Sequence, residues 1–254
     1  MSDVRITIEG NVGVATICRA PNNYFDMPLI ADLANAFEGF DGNPAVRCIL
    51  LESEGRHFCA GADFSAPAEH TVGRRGGAHM YQEAVRLFRC TTPVVVCIQG
   101  AAIGGGLGLS LVGDFRVASP DARFAANFSR LGFHPGFGVS VTLPRVVGAQ
   151  TAALLLYTGR RLTGTEAERL GLVDVLAPSD QLRDTAMALA AEIGSSAPLA
   201  VTSMRATLRR GLADEIAEVT DHELAEQEKH FRTADFKEGV RAMAERRPPV
   251  FRGE

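Results

Sequence analysis

Val4, Ile6 and Ile8 alternate with polar neighbours, and Val12, Val14 and Thr16 alternate again. A period of two, interrupted by Gly10-Asn11, predicts a β-hairpin with a two-residue turn. The period then changes. Leu29, Leu33, Phe37 and Phe40 recur at helical spacing, with Asp26 placed to cap the helix and Asp41-Gly42-Asn43-Pro44 to stop it. The run from Val46 to Leu51 is apolar apart from Arg47, as in a strand covered on both faces. A helix is expected near 78–89, then a strand over Val94–Ile98 opened by Pro93, and another over Phe115–Ala118 closed by Ser119-Pro120-Asp121.

Beyond this point the pattern is mostly helical. Thr163-Gly164-Thr165-Glu166 fits a capping box, and Gly171 suits the position after a helix end. Val173 to Leu176 reads as a last short strand. Helices follow near 180–193, 198–210, 213–231 and 234–246, and the tail Arg247-Pro248-Pro249 cannot extend them. Alternating strands and helices followed by helices alone predict an α/β core, residues 1–194, and a helical region, 195–254.

Composition narrows the partners. The chain has 254 residues and a formal net charge of −4, which argues against nucleic acid. No apolar run reaches the ~18 residues of a membrane span, and the N-terminus alternates rather than forming a signal-peptide block. Five cysteines (Cys18, Cys48, Cys59, Cys90 and Cys97) without CxxC spacing read as reduced thiols of a cytosolic protein. No histidine pair or carboxylate cluster has metal-ligand spacing, so no metal site is expected. His70 falls in a polar loop, and His79, His222 and His230 in polar helical stretches.

The chemistry concentrates in two glycine-rich turns. Gln99-Gly100-Ala101-Ala102-Ile103-Gly104-Gly105-Gly106-Leu107-Gly108 joins the strand at 94–98 to a second apolar run. Bare backbone N–H groups at a strand-to-helix turn can hold an anion. The turn lacks the GxxxxGK[ST] of a P-loop, and Leu109 occupies the third glycine position of a dinucleotide fingerprint. The second turn, Gly55 to Phe64, follows the strand at 46–51. Parallel strands would bring both turns to one sheet edge. Their N–H groups could then converge on one oxygen, an oxyanion hole built without side chains.

His57-Phe58-Cys59-Ala60-Gly61-Ala62-Asp63-Phe64 and the 99–106 turn resemble the two hallmark segments of the crotonase, or enoyl-CoA hydratase/isomerase, family. Asp114, Pro135-Gly136-Phe137-Gly138 and the Phe236-to-Phe251 end resemble further segments. The resemblance implies an α/β crotonase-like spiral of β-β-α units with a C-terminal all-helical trimerisation region. It implies a homotrimer or a dimer of trimers, and an acyl-CoA thioester substrate with coenzyme A as part of that substrate and no separate cofactor. It places the thioester oxygen on the N–H groups of Ala60 and Gly105, with Ala60, Gly61, Ala62, Asp63, Phe64, Ile103, Gly105 and Phe128 lining the substrate path. Arg246, Arg247 or Phe251 would approach a neighbouring subunit's nucleotide end.

At two positions the chain departs from that family. Gly108 and Phe128 stand where hydratases carry the two glutamates that activate water. A positioned acid or base contributes about 10²–10⁴-fold and one oxyanion donor about 10²–10³-fold. The expectation is therefore thioester polarisation without efficient hydration. The alternatives are a different reaction of the family, such as thioester hydrolysis, or a non-catalytic acyl-CoA binder. His134 is the candidate replacement acid or base, against a plain loop histidine. His57 is expected to point outward, Cys59 to be a nucleophile only if His57 activates it, and Asp114 to be a structural hydrogen-bonding acid.

Overall fold

The hairpin and the parallel strands form one sheet. In this computed structural model, residues 3–64 and 79–254 are described; His70 lies outside them. β1 (Val4–Glu9) and β2 (Val12–Ile17) pair antiparallel across Gly10-Asn11, with Glu9 opposite Val12 and Gly10 at φ +64°. β2 then pairs in parallel with β3 (Cys48–Ser53), β3 with β4 (Val94–Ile98), β4 with β6 (Phe115–Ala118), and β6 with β9 (Val175–Leu176). The sheet order is β1-β2-β3-β4-β6-β9.

Strand alternation divides the core in two. Ile49, Leu51, Val94 and Val96 face the larger cluster, which includes Leu29, Leu33 and Phe37 of the helix Met27–Asp41. Cys48, Leu50, Val95 and Cys97 face a smaller one closed by Leu182, Ala186 and Ala190 of the helix Leu182–Ser195. Both faces are thus covered, as the 46–51 run predicts. The Asp26 carboxylate accepts the Leu29 N–H at 3.0 Å, and Gly42 ends the same helix. Thr163 and Glu166 form the expected reciprocal capping box.

A second sheet escapes the periodicity reading. β5 (Ala101–Ile103), β7 (Arg123–Ala125) and β8 (Arg161–Thr163) pair in the order β5-β7-β8. Three residues are too few to show a period. The helix Pro198–Leu208 brings Arg205, and the residue just after it Arg209, onto Asp114 at 2.7 and 2.8 Å. Burial opposes ionisation of Asp114, but the two guanidiniums outweigh it and hold the carboxyl below its usual range. Asp114 also accepts the Val94 N–H. It is a structural acid, as expected. The helix Leu212–His230 packs on the helix Met80–Arg89, and the helix Ala234–Ala244 lies against Phe128–Leu131. No helix among the described residues is long and apolar enough to cross a membrane.

Candidate active site

The two glycine turns leave neighbouring parallel strands and mesh. Cys59 N–H donates to Ala101 O at 2.9 Å, and Ile103 N–H donates to Cys59 O at 3.1 Å. His57 does not simply point outward. Its Nδ1 accepts the Ala101 N–H at 3.1 Å, bracing the second turn, while burial and the charge of Arg56 hold its pKa down. The glycines are required by proximity: a Cβ at Gly106 would lie 2.1 Å from Cys59 O, and one at Gly61 2.8 Å from Ile103 O. Gly61 also sits at φ +91°.

Two backbone donors of these turns have no partner among the described residues. Gly105 is the first residue of the helix Gly105–Ser110, so its N–H has no partner within the helix, and it makes no other bond among the described residues. Ala60 is different. Its N–H already donates to Asn22 O at 2.9 Å. The expected pairing of Ala60 with Gly105 is corrected on that ground. The N–H of Ala62, two residues on, makes no hydrogen bond among the described residues. The sequence alone hides this distinction, because Asn22 arrives from a distant loop.

Both turns border one cavity of about 420 Å³. Ala60, Gly61, Ala62, Asp63, Phe64, Ile103, Gly105 and Phe128 all line it, together with Phe25, Tyr81, Phe133 and Phe137, which the sequence reading missed. The aromatic rings pack on one another: Phe25 on Phe137 at 5.8 Å between centroids, and Phe128 on Phe133 at 5.5 Å, edge to face. Gly108 is buried beneath Phe137. A Cβ at Gly108 would lie 2.9 Å from Phe137 Cβ and 3.0 Å from its Cδ1. The space into which a longer residue 108 would grow holds a phenyl ring.

Few titratable groups reach the cavity. Asp63 is the one carboxylate among the described lining residues. Tyr24 lines it too, its phenol held above its usual range by burial and by Asp63. His134 does not line the cavity. Its Nδ1 sits 2.9 Å from Pro135 O, its ring stacks on His230 and meets His222 edge on, and burial lowers its pKa. The geometry therefore gives no support to its candidacy as acid or base. Burial pushes the Cys59 thiol up to about 12, which removes it as a nucleophile. Arg247 pairs with Glu238 and Glu245 of its own chain. No cluster of three metal-ligating side chains occurs among the described residues.

One buried acid supports the site from behind. Glu223 is fully buried, accepts the N–H groups of Gly138 and Ser140 at 2.8 and 3.2 Å, and also bonds the Ser140 hydroxyl. Burial pushes its pKa up to about 7 against those bonds. This clamp holds the loop on which Phe137 sits at φ +65°, an uncommon conformation for an aromatic residue. Nearby, the Tyr81 hydroxyl donates to Gln227 Oε1 at 2.8 Å, and Gln227 Nε2 donates to His134 O at 3.0 Å.

Comparison with known proteins agrees with this architecture. The sequence model of the family described as Enoyl-CoA hydratase/isomerase matches residues 7–254. A probable enoyl-CoA hydratase of Bacillus subtilis is 30% identical over 258 residues, covering 100% of both chains. A putative enoyl-CoA hydratase/isomerase of the same organism is 33% identical, covering 91% of this chain and 90% of its own. The solved structure of an enoyl-CoA hydratase/isomerase from Pseudoalteromonas atlantica superposes with a TM-score of 0.88 at 30% identity, covering 99% of this chain and 100% of its own. With its α/β core, its C-terminal helices and its full-length match, the chain belongs to the enoyl-CoA hydratase/isomerase, or crotonase, family.

Proposed function

We propose that this protein binds an acyl-CoA thioester and polarises its carbonyl between the N–H groups of Ala62 and Gly105. The observation that carries the reading is the pair of backbone donors, without a partner among the described residues, that border one cavity. Donors fixed in a protein backbone stabilise a developing enolate without reorganising. In this reading Gly108 and Phe128 stand at the positions of the family's two water-activating glutamates, which is supported by the packing of Phe137 against Gly108 and of Phe133 against Phe128. The reaction is therefore of the enoyl-CoA hydratase/isomerase type at the level of enolate stabilisation, with hydration by activated water disfavoured. Asp63 to Phe64 would flank the coenzyme A arm. Residues 195–254 would mediate assembly into trimers, a reading supported by Leu199 and Leu208, which are 85% and 83% exposed on one helix.

A second reading is a non-catalytic acyl-CoA binder, favoured by Asp63 being the one carboxylate among the described residues of the cavity wall. Calorimetry with crotonyl-CoA, infrared measurement of the bound thioester carbonyl stretch, and hydration and double-bond isomerisation assays separate the possibilities. Binding with a lowered carbonyl frequency is expected. Binding with no turnover of any thioester would favour the binder. Hydration at about 10 s⁻¹, an ordinary enzyme rate, would show that a water-activating group is present after all. No binding, or binding with an unshifted carbonyl, would overturn the polarising role.

A further inference from the structure

Asn127 stands at the N-cap of the helix Phe128–Leu131. Asparagine is among the strongest N-cap residues because its side chain accepts an N–H of the first turn. Here the side chain makes no capping bond. It makes no hydrogen bond to any other described residue either. Instead it borders the cavity, half-buried, beside the ring of Phe128. Its Oδ1 lies 3.2 Å from the point a Cβ on Gly104 would occupy, next to the Gly105 donor. The other polar side chains of the described wall differ from it: the Tyr81 hydroxyl is committed to Gln227, the Tyr24 phenol lies in the field of Asp63, Asp63 is an acid, and Arg161 is an exposed cation.

We propose that Asn127 is a specificity-determining residue whose carboxamide hydrogen-bonds a neutral oxygen, hydroxyl or oxo, carried on the acyl group. The inference rests on the reading of the cavity as an acyl-thioester site. A carboxamide both donates and accepts, so it pairs with either kind of oxygen. It carries no charge and cannot substitute for a general acid or base, so its contribution is selection rather than proton transfer. In a wall of phenyl rings, an unsubstituted acyl chain leaves this amide without a partner, whereas an oxygenated one satisfies it.

Calorimetry on the full chain tests this with butyryl-CoA, each enantiomer of 3-hydroxybutyryl-CoA, and acetoacetyl-CoA. The same titrations are run on Asn127→Leu and Asn127→Ala. The wild type should bind at least one oxygenated thioester about 2- to 12-fold more tightly than butyryl-CoA, the yield of one neutral hydrogen bond. Both variants should lose that preference, and Asn127→Leu should bind butyryl-CoA at least as tightly as the wild type, since no amide is left unpartnered. Their melting temperatures should match the wild type, since the side chain bonds to nothing described in the fold. Lack of preference in the wild type, or its survival in both variants, overturns the role of Asn127. Failure of folded wild type to bind any of these thioesters overturns the acyl-thioester reading and the inference with it.

Discussion

Introducing a carboxylate at position 108 offers a sharp test of the proposed site. In Gly108→Glu the new Cβ would lie 2.9 Å from Phe137 Cβ and 3.0 Å from Cδ1, well inside ordinary contact, with both residues buried. Overpacking of this kind costs about 1–3 kcal/mol. A carboxyl buried among phenyl rings adds about 1–3 kcal/mol for its lost hydrogen bonds to water. Phe137→Gly alone removes a fully buried ring, at about 3–5 kcal/mol, offset by about 1 kcal/mol because glycine tolerates φ +65°. In the double variant the carboxyl enters the space the ring has left. Its destabilisation, from urea unfolding followed by circular dichroism, should fall short of the sum of the two single changes by more than about 0.5 and up to about 3 kcal/mol, the range for directly coupled sites. Hydration of crotonyl-CoA should rise about 10²-fold or more over the wild type, the lower range for one positioned acid or base. Additive energies within about 0.5 kcal/mol would refute the argument that the phenyl ring fills the place of a carboxylate.

Other outcomes follow from the same geometry. The raised pKa of Glu223, about 7 against an ordinary 4.5, means that the folded protein holds a proton the unfolded chain releases. Its stabilising contribution is complete below pH 4.5 and is lost as pH rises through 7, by about 3 kcal/mol at ~1.4 kcal/mol per pH unit. Unfolding free energies at pH 5 and pH 7.5 should therefore converge in Glu223→Gln relative to wild type, and parallel pH dependences would contradict the assignment. Asp114→Asn should destabilise by about 3–5 kcal/mol, because Arg205 and Arg209 would be left without their shared carboxylate in a buried setting; a wild-type melting curve would disprove that. Cys59 should resist alkylation at pH 8 until the protein is unfolded, as mass mapping with iodoacetamide would show. Rapid labelling of Cys59 in the native state would mean that its thiol is not buried as described.

Local chemistry made much of the fold legible. The alternation at 4–8 and 12–16, the Asp26 cap, the Thr163–Glu166 capping box and the apolar runs at 46–51 and 94–98 each depend on neighbouring residues, and each appears in the structure. The short strands β5, β7 and β8 were not legible, because three residues carry no period and their pairing spans distant segments. The two glycine turns could be placed on one sheet edge from sequence, since both follow apolar strands. Their meshing through Cys59 and Ala102 could not.

The sequence by itself determined the longer strands, several helices and the family, because caps, turns and periodicity act over a few residues. Only the tertiary structure decided which donors are free and what fills the cavity. Asn22 occupies the Ala60 N–H and leaves that of Ala62 open. Phe137, 29 positions beyond Gly108, covers the place where a longer side chain would stand. Glu223, from a C-terminal helix, clamps the loop that carries that ring. The physical reason is common to all three: whether a backbone group is satisfied, and whether space is filled, depends on atoms that chain folding brings from far along the sequence.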